Sequence, residues 1–486
     1  MKSLLCIALL GMGMFAQAQT KLDKNAEQAF VEKLSRVGQV TKSSSGQADS
    51  CEPPTPSSCS FEGYCGKLAE GAQDAYLYKD SEGRQIPNHN YVKLSKQVQL
   101  CNGKVSAPMP EDPFLNPDLF STKANQEKLA AATARTKQLF DKVRNEVVAV
   151  LKKKRTEQNG AQIDNMIKRV QSVQFKSVDL VNIKPHTSIA AKLADEGCIS
   201  PNAAYNLEDH SITICPQTMN MPEGALVGTL AHEFGHSFDS CSSALAYSSQ
   251  GAVFPLWMNM LVKENKSKQT VDGISAKENP FKNVITCLQS EKSIGVKVPT
   301  KSELHAAVDK KRKFLESEMQ EAFREDQEQS DGEESFSRGS SRDASVAALD
   351  DEDSNINKYY DDYCGCAALS GSILLNEAFA DWVSGETIAS MTSELPADKA
   401  KEFAFASSGI FYSQGCAEVA DKVEKYAQAL APKCKSLENY IKDQHSHVEA
   451  LPHPDTAKRV NRIYMAKPEI RKALACQGGD VGTPCE

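Results

Sequence analysis

The sequence predicts a predominantly helical α+β fold, with a small strand region beside a helix that carries two histidines, preceded by a small disulfide-rich and helical N-terminal region. Three observations carry this reading. Apolar residues recur at helical spacing over long stretches, most clearly at Leu139, Val143, Val147 and Leu151. The segment 203–215 contains the alternating Ser211-Ile212-Thr213-Ile214 of a half-buried strand. Directly after it, Leu226, Leu230 and Phe234 recur every four residues, on the side of a helix opposite His232.

Taken in chain order, Met1-Lys2-Ser3 precedes an apolar run from Leu4 to Phe15, and Ala16-Gln17-Ala18 has the small-x-small form of a signal-peptidase site. A signal peptide over 1–18 and an exported, extracytoplasmic or secreted protein are therefore expected. The run falls short of the roughly 20 apolar residues a spanning helix needs, so no integral membrane segment is expected. Cys6 lacks the small residues of a lipoprotein signal before it. Losing Cys6 leaves fourteen of the fifteen cysteines, an even number that in an exported chain points to disulfides. Their pairing is not readable. The net charge of −8 argues against a nucleic-acid partner.

Residues 19–50 are polar and Ser/Gly-rich, which predicts a disordered leader. The segment 51–112 has four cysteines, Pro-rich turns and strand-like pieces such as Tyr91-Val92-Lys93-Leu94, and reads as a small Cys-containing module. A helical region follows over 113–180, with helices at about 125–155 and 163–173. The remainder, 181–486, reads as one large domain. It is interrupted at about 322–362 by a strongly acidic, polar stretch that cannot bury enough apolar area to fold alone and reads as a surface loop. From Ser370 the pattern is helical again, and the chain ends in a Cys-, Gly- and Pro-containing tail.

The chemistry concentrates in two helical segments. His232 and His236 are spaced i and i+4, so both imidazoles reach one ion from a single helix face, while Glu233 stands beside the open position as a base. The missing ligand should be a carboxylate or histidine on a second helix. Leu374-Leu-Asn-Glu377-Ala-Phe-Ala-Asp381-Trp382 supplies Glu377 as that ligand. Asp381, one turn on, can accept the outer N–H of a zinc histidine, and Asp239 can do the same for the other. Alone, Glu-x-x-x-Asp is equally an amphipathic helix with two solvated acids. Of the other histidines, His89, His186, His210, His305, His445 and His447 read as surface or loop residues, the last two close enough to His453 to line a cleft.

At this point the chain resembles the neprilysin and endothelin-converting-enzyme family of zinc endopeptidases, within the thermolysin-like superfamily. The resemblance rests on His-Glu-x-x-His-x-Phe-Asp at 232–239, Glu-x-x-Ala-Asp at 377–381, Asn202-Ala203-Ala204-Tyr205, and His453-Pro-Asp-Thr-Ala-Lys-Arg459 with the block that follows. It covers about 200–240 and 365–486. The interval between the zinc motifs is longer than the family's, the N-terminal region is shorter, and Cys485-Glu486 stands where the family has Cys-x-x-Trp. The resemblance implies a thermolysin-like catalytic domain with an edge-strand sheet above the zinc helix, one catalytic Zn2+ ion, and a peptide or protein substrate. It implies that the Asn202 side chain and Ala203 carbonyl hold the substrate backbone, that His453 donates to the oxyanion, and that Arg459 binds a substrate carbonyl. Glu233 would take the proton of a zinc-activated water, which makes the chain a zinc metalloendopeptidase. The integral-membrane proteases that process prenylated proteins share several of these motifs but have transmembrane helices, so a soluble relative of that group is an alternative. A non-catalytic binding protein that keeps the scaffold is another. Oligomeric state is not readable.

Overall fold

The computed structural model describes residues 55–71, 75–99, 111–180, 188–198, 202–206, 209–238, 280–295, 373–408 and 453–486, with position 101 and scattered positions within 302–317 and 416–441. The expected signal 1–18, the leader 19–50 and the acidic stretch 322–362 lie outside these residues, as do Asp239, His186, His445 and His447. The described chain is predominantly helical with few strands. No described helix is long and apolar enough to cross a membrane.

Helix α1 (Phe61–Gly71) is followed by a short antiparallel pair, β1 (Tyr76–Lys79) and β2 (Gln85–Pro87), and by helix α2 (His89–Gln99). The last corrects an expectation: Tyr91 to Leu94 is helical and not strand-like. A four-residue window of apolar and polar residues fits either period, and burial decides. Tyr91, Leu94 and Val98, at helical spacing, pack with Cys101, Ala427 and Leu437 in a small cluster of their own.

Helix α3 (Lys123–Lys153) starts where the Thr122 hydroxyl accepts the Asn125 N–H at 3.4 Å, and it carries Lys152 and Lys153 in its last turn, favourable at the negative end of the helix dipole. Leu139, Phe140, Val143, Val147 and Leu151 form its buried face. Helix α4 (Gly160–Ser172) packs on it through Ile163, Met166, Ile167 and Val170. Strand β3 (Gln174–Ser177) leads through helix α5 (Ile189–Asp195) to β4 (Ala203–Asn206) and β5 (Ser211–Ile214). The three strands form a sheet of order β3-β5-β4, β3 parallel and β4 antiparallel to the central β5. The turn into β5 puts His210 in the left-handed region at φ 52°.

Helix α6 (Glu223–Phe238) is the centre of the molecule. From Gly224 to Phe238 every residue is buried, so the stripe of Leu226, Leu230 and Phe234 does not separate a core face from an exposed one. Phe234 meets Phe140 of α3 with ring centroids 4.8 Å apart, a burial that contributes about 1.5–3 kcal/mol for each side chain. Helix α7 (Lys282–Gln289) brings Phe281 against Phe238, Phe379 and Trp382. Helix α8 (Ile373–Glu394) packs most extensively on α6, and its run ends before Pro396, which caps helix α9 (Ala397–Ser407). A short helix α10 (Thr456–Arg459), continued by a π-helical turn (Val460–Tyr464), and helix α11 (Pro468–Leu474) complete the chain.

Contacts cross the segment boundaries read from sequence. Strand β3, from the expected 113–180 region, pairs with β5, and one hydrophobic cluster runs from Tyr64 to Cys485. The described cysteines of the 51–112 segment all pair outside it. Cys59 pairs with Cys476, Cys65 with Cys416 and Cys101 with Cys434, so it is fastened to the last part of the chain. Cys287–Cys485 and Cys198–Cys215 complete the five disulfides among the described residues.

Candidate metal centre

Two buried helices can bring polar side chains together only if their backbones approach closely, and glycine permits this. A Cβ on Gly235 would lie 2.8 Å from the Ala380 Cα, so α6 and α8 touch backbone to backbone beside His236. The Ser384 hydroxyl donates to the Gly228 carbonyl at 2.8 Å and pins the same seam about two turns earlier on α6.

Across this seam four side chains converge. His232 Nε2 and His236 Nε2 lie 3.1 Å apart, with ring planes nearly perpendicular. Glu377 Oε2, from α8, lies 3.0 Å from His232 Nε2 and 3.8 Å from His236 Nε2. His453, just ahead of α10, puts its Nε2 3.0 Å from the same oxygen. Two nitrogens bound to one tetrahedral zinc at about 2.0–2.1 Å sit about 3.3 Å apart, and the observed separations bracket that value.

The protonation pattern favours a cation between these atoms. Asp381 is fully buried; its Oδ1 accepts from His232 Nδ1 at 2.9 Å, and its two oxygens take the Arg459 Nε and Nη2 at 2.5 and 2.8 Å. Burial would raise the Asp381 carboxyl, but Arg459 and His232 hold it at about 2, so it is ionised. The proton of a neutral His232 therefore sits on Nδ1, assigned from this network, and Nε2 turns its lone pair toward Glu377. Burial also opposes ionisation of Glu377, yet His236, His232 and His453 hold its carboxyl well below the usual range. Glu377 Oε2 is buried and makes no hydrogen bond of acceptable geometry. For His232, burial lowers the imidazole, and Asp381 and Glu377 overcome it and raise it to about 10. Positive charge is strongly favoured at this point, whether a proton or a metal ion supplies it. Lone pairs facing one another at about 3 Å are otherwise repulsive, and imidazole with carboxylate is a donor set that suits zinc.

Glu233 lies beside this cluster and reaches the sheet with one oxygen. Its Oε2 accepts the Tyr205 backbone N–H at 2.8 Å, and burial, reinforced by Glu377 and offset by His232, raises its carboxyl to about 7. That N–H lies on the side of β4 that no described strand pairs. Since the Asn202 carbonyl accepts from Cys215 N–H on the β5 side, strand alternation turns the backbone groups of Ala203 and Tyr205 away from β5. The Asn202 side chain is exposed, while the Asn202 backbone carbonyl also accepts the Thr218 hydroxyl at 2.8 Å.

Sequence reasoning missed the support behind this strand. His210 is half-buried, with Nδ1 2.7 Å from the Tyr205 hydroxyl and Nε2 2.8 Å from the Arg169 carbonyl, and so ties β4 to α4. Tyr205 beside Ala203 in Asn-Ala-x-Tyr was the available signal. Arg459 is buried, with its guanidinium fork on Asp381. A scan against protein-family models finds no match, and neither the curated proteins nor the solved structures searched give a significant one.

Proposed function

We propose that the protein is an exported, zinc-dependent endopeptidase with a thermolysin-like catalytic domain, of the neprilysin-like kind its motifs resemble. The observation that carries the reading is the convergence of His232, His236, Glu377 and His453 beside Glu233, at the foot of an edge strand. His232, His236 and Glu377 would hold the ion. When bound, zinc lowers the pKa of a water molecule and polarises a substrate carbonyl.

The chain's own residues supply the rest. Glu233, raised to about 7, can take a proton from the attacking water near neutral pH and return it to the leaving amine. The edge of β4 that no described strand pairs carries the Ala203 N–H and carbonyl, which an extended peptide would meet by strand addition, with the exposed Asn202 side chain at its start. His453, about a third exposed, would donate to the oxyanion, as the resemblance implies. Arg459 acts through Asp381, and thereby through His232. Five disulfides among the described cysteines support an oxidising compartment.

The test combines metal analysis of the purified protein with cleavage of a quenched peptide library. Glu233→Gln should keep one zinc per chain and lose roughly 10²–10⁴-fold in cleavage rate. Wild-type turnover by that variant, or turnover unaffected by a chelator, would sink the assignment. Cleavage should fall before large apolar residues, as the resemblance implies.

A further inference from the structure

We infer that His453 is itself a metal ligand in the resting protein, the fourth side chain on the ion that His232, His236 and Glu377 hold. This rests on the metal reading proposed above and deepens it. His453 Nε2 comes as close to Glu377 Oε2 as His232 Nε2 does, 3.0 Å in both pairs. His232, Glu377 and His453 each offer one ligand atom, and those atoms all lie within 4.8 Å of one another. An imidazole poised only to meet a substrate would have no reason to share the coordinating oxygen.

The chain delivers His453 there by a short, fixed path. Asp455 accepts the Lys458 N–H at 3.0 Å and starts α10, and Arg459 at the end of that helix is clamped to Asp381. One carboxylate therefore orients His232 directly and fixes the segment that carries His453. The two imidazoles differ in their far nitrogens. His232 Nδ1 is held by Asp381, whereas His453 Nδ1 is buried with no hydrogen-bond partner among the described residues. A ligand without an outer partner is less firmly oriented, so His453 is the weak, exchangeable member of the set. With it in place all four positions of a tetrahedral site come from protein, and a small ligand gains a position only when this imidazole leaves. His453 is also the most exposed of the four, which suits a group that swings out.

The experiment loads the full-length protein with cobalt(II) and reads the number of imidazoles by X-ray absorption and the geometry from the visible spectrum. It compares wild type with His453→Ala and His232→Ala. Wild type should show three imidazoles. His453→Ala should show two, bind cobalt roughly tenfold more weakly, and bind acetohydroxamate more tightly than wild type because its fourth position is vacant. Circular dichroism with chelator present confirms that each variant folds. If His453→Ala keeps the wild-type spectrum, cobalt affinity and hydroxamate affinity, His453 is not a ligand, while the centre on His232 stands. If wild type binds no more cobalt than His232→Ala, the metal reading itself fails.

Discussion

The seam between α6 and α8 and the shell formed by α1, α2 and the chain's last part are held together by different physics. No disulfide crosses the seam among the described residues; it rests on backbone contact at Gly235, one buried hydroxyl bond, and the Asp381 carboxylate shared by His232 and Arg459. The shell is fastened by Cys59–Cys476, Cys65–Cys416 and Cys101–Cys434, which close stretches of 417, 351 and 333 residues. Geometry matters to a few tenths of an ångström at the seam, where ligand atoms must converge. In the shell, covalent links restrict the unfolded chain without specifying a site. The stability supplied by the shell is thus separable from the site, whereas at the seam the two are coupled, and each prediction below challenges that contrast.

The largest effect is expected at Asp381. Asp381→Asn leaves Arg459 buried without its counter-charge and weakens the orientation of His232, so chelator-treated protein should lose about 3–5 kcal/mol of unfolding free energy. Metal affinity should drop roughly 10–100-fold in the same variant. Denaturant titration and metal competition would measure both. Loss of either property alone would mean that Asp381 does not unite structure and site.

In the shell, replacing Cys59 and Cys476 together by serine should cost about 2–5 kcal/mol. Metal affinity should stay at the wild-type value. A parallel fall in affinity would end the claim that the shell supplies stability only.

A third prediction uses pH. Glu233 has its carboxyl raised from 4.5 to about 7, so its contribution to stability is fully present below about 4.5 and is lost as pH rises through about 7. Glu233→Gln carries no such dependence. In metal-stripped protein the variant should therefore match wild type in acid and exceed it above neutrality, by up to about 3 kcal/mol on the conversion of a pKa shift to free energy. Thermal unfolding of both proteins from pH 4 to 8 measures the divergence. Parallel curves would show that Glu233 titrates normally.

The smallest stability effect should come from Gly235→Ala. The added methyl would meet the Ala380 backbone, and overpacking typically costs about 1–3 kcal/mol. Because the shift separates Glu377 from the two histidines, metal affinity should fall alongside. Unchanged affinity would show that the seam yields without moving its ligands.

The readable part of this molecule was local. Helices α3 and α4 announced themselves through apolar residues at 3.6-residue spacing, and β5 through alternation. The shared faces of His232 with His236 and of Glu377 with Asp381 follow from one helical turn. Residues 91–94 were misread because a short window fits two periods, and only contact with Ala427 and Leu437 separates them. The role of His210 in bracing Tyr205 was hidden because its partners lie on α4 and β4, reached through a turn that puts it in an unusual backbone conformation.

By itself, then, the sequence determined the helical class, the strand beside the histidine helix, and which side chains share a helix face, because periodicity and turn-to-turn spacing are properties of neighbouring residues. Tertiary structure decided what lies across each face. It set Glu377 and His453 around one point, turned Arg459 onto Asp381 and chose partners for the cysteines. Those outcomes depend on how closely buried helices approach and on where buried charge finds its opposite, and neither is written in any single stretch of the chain.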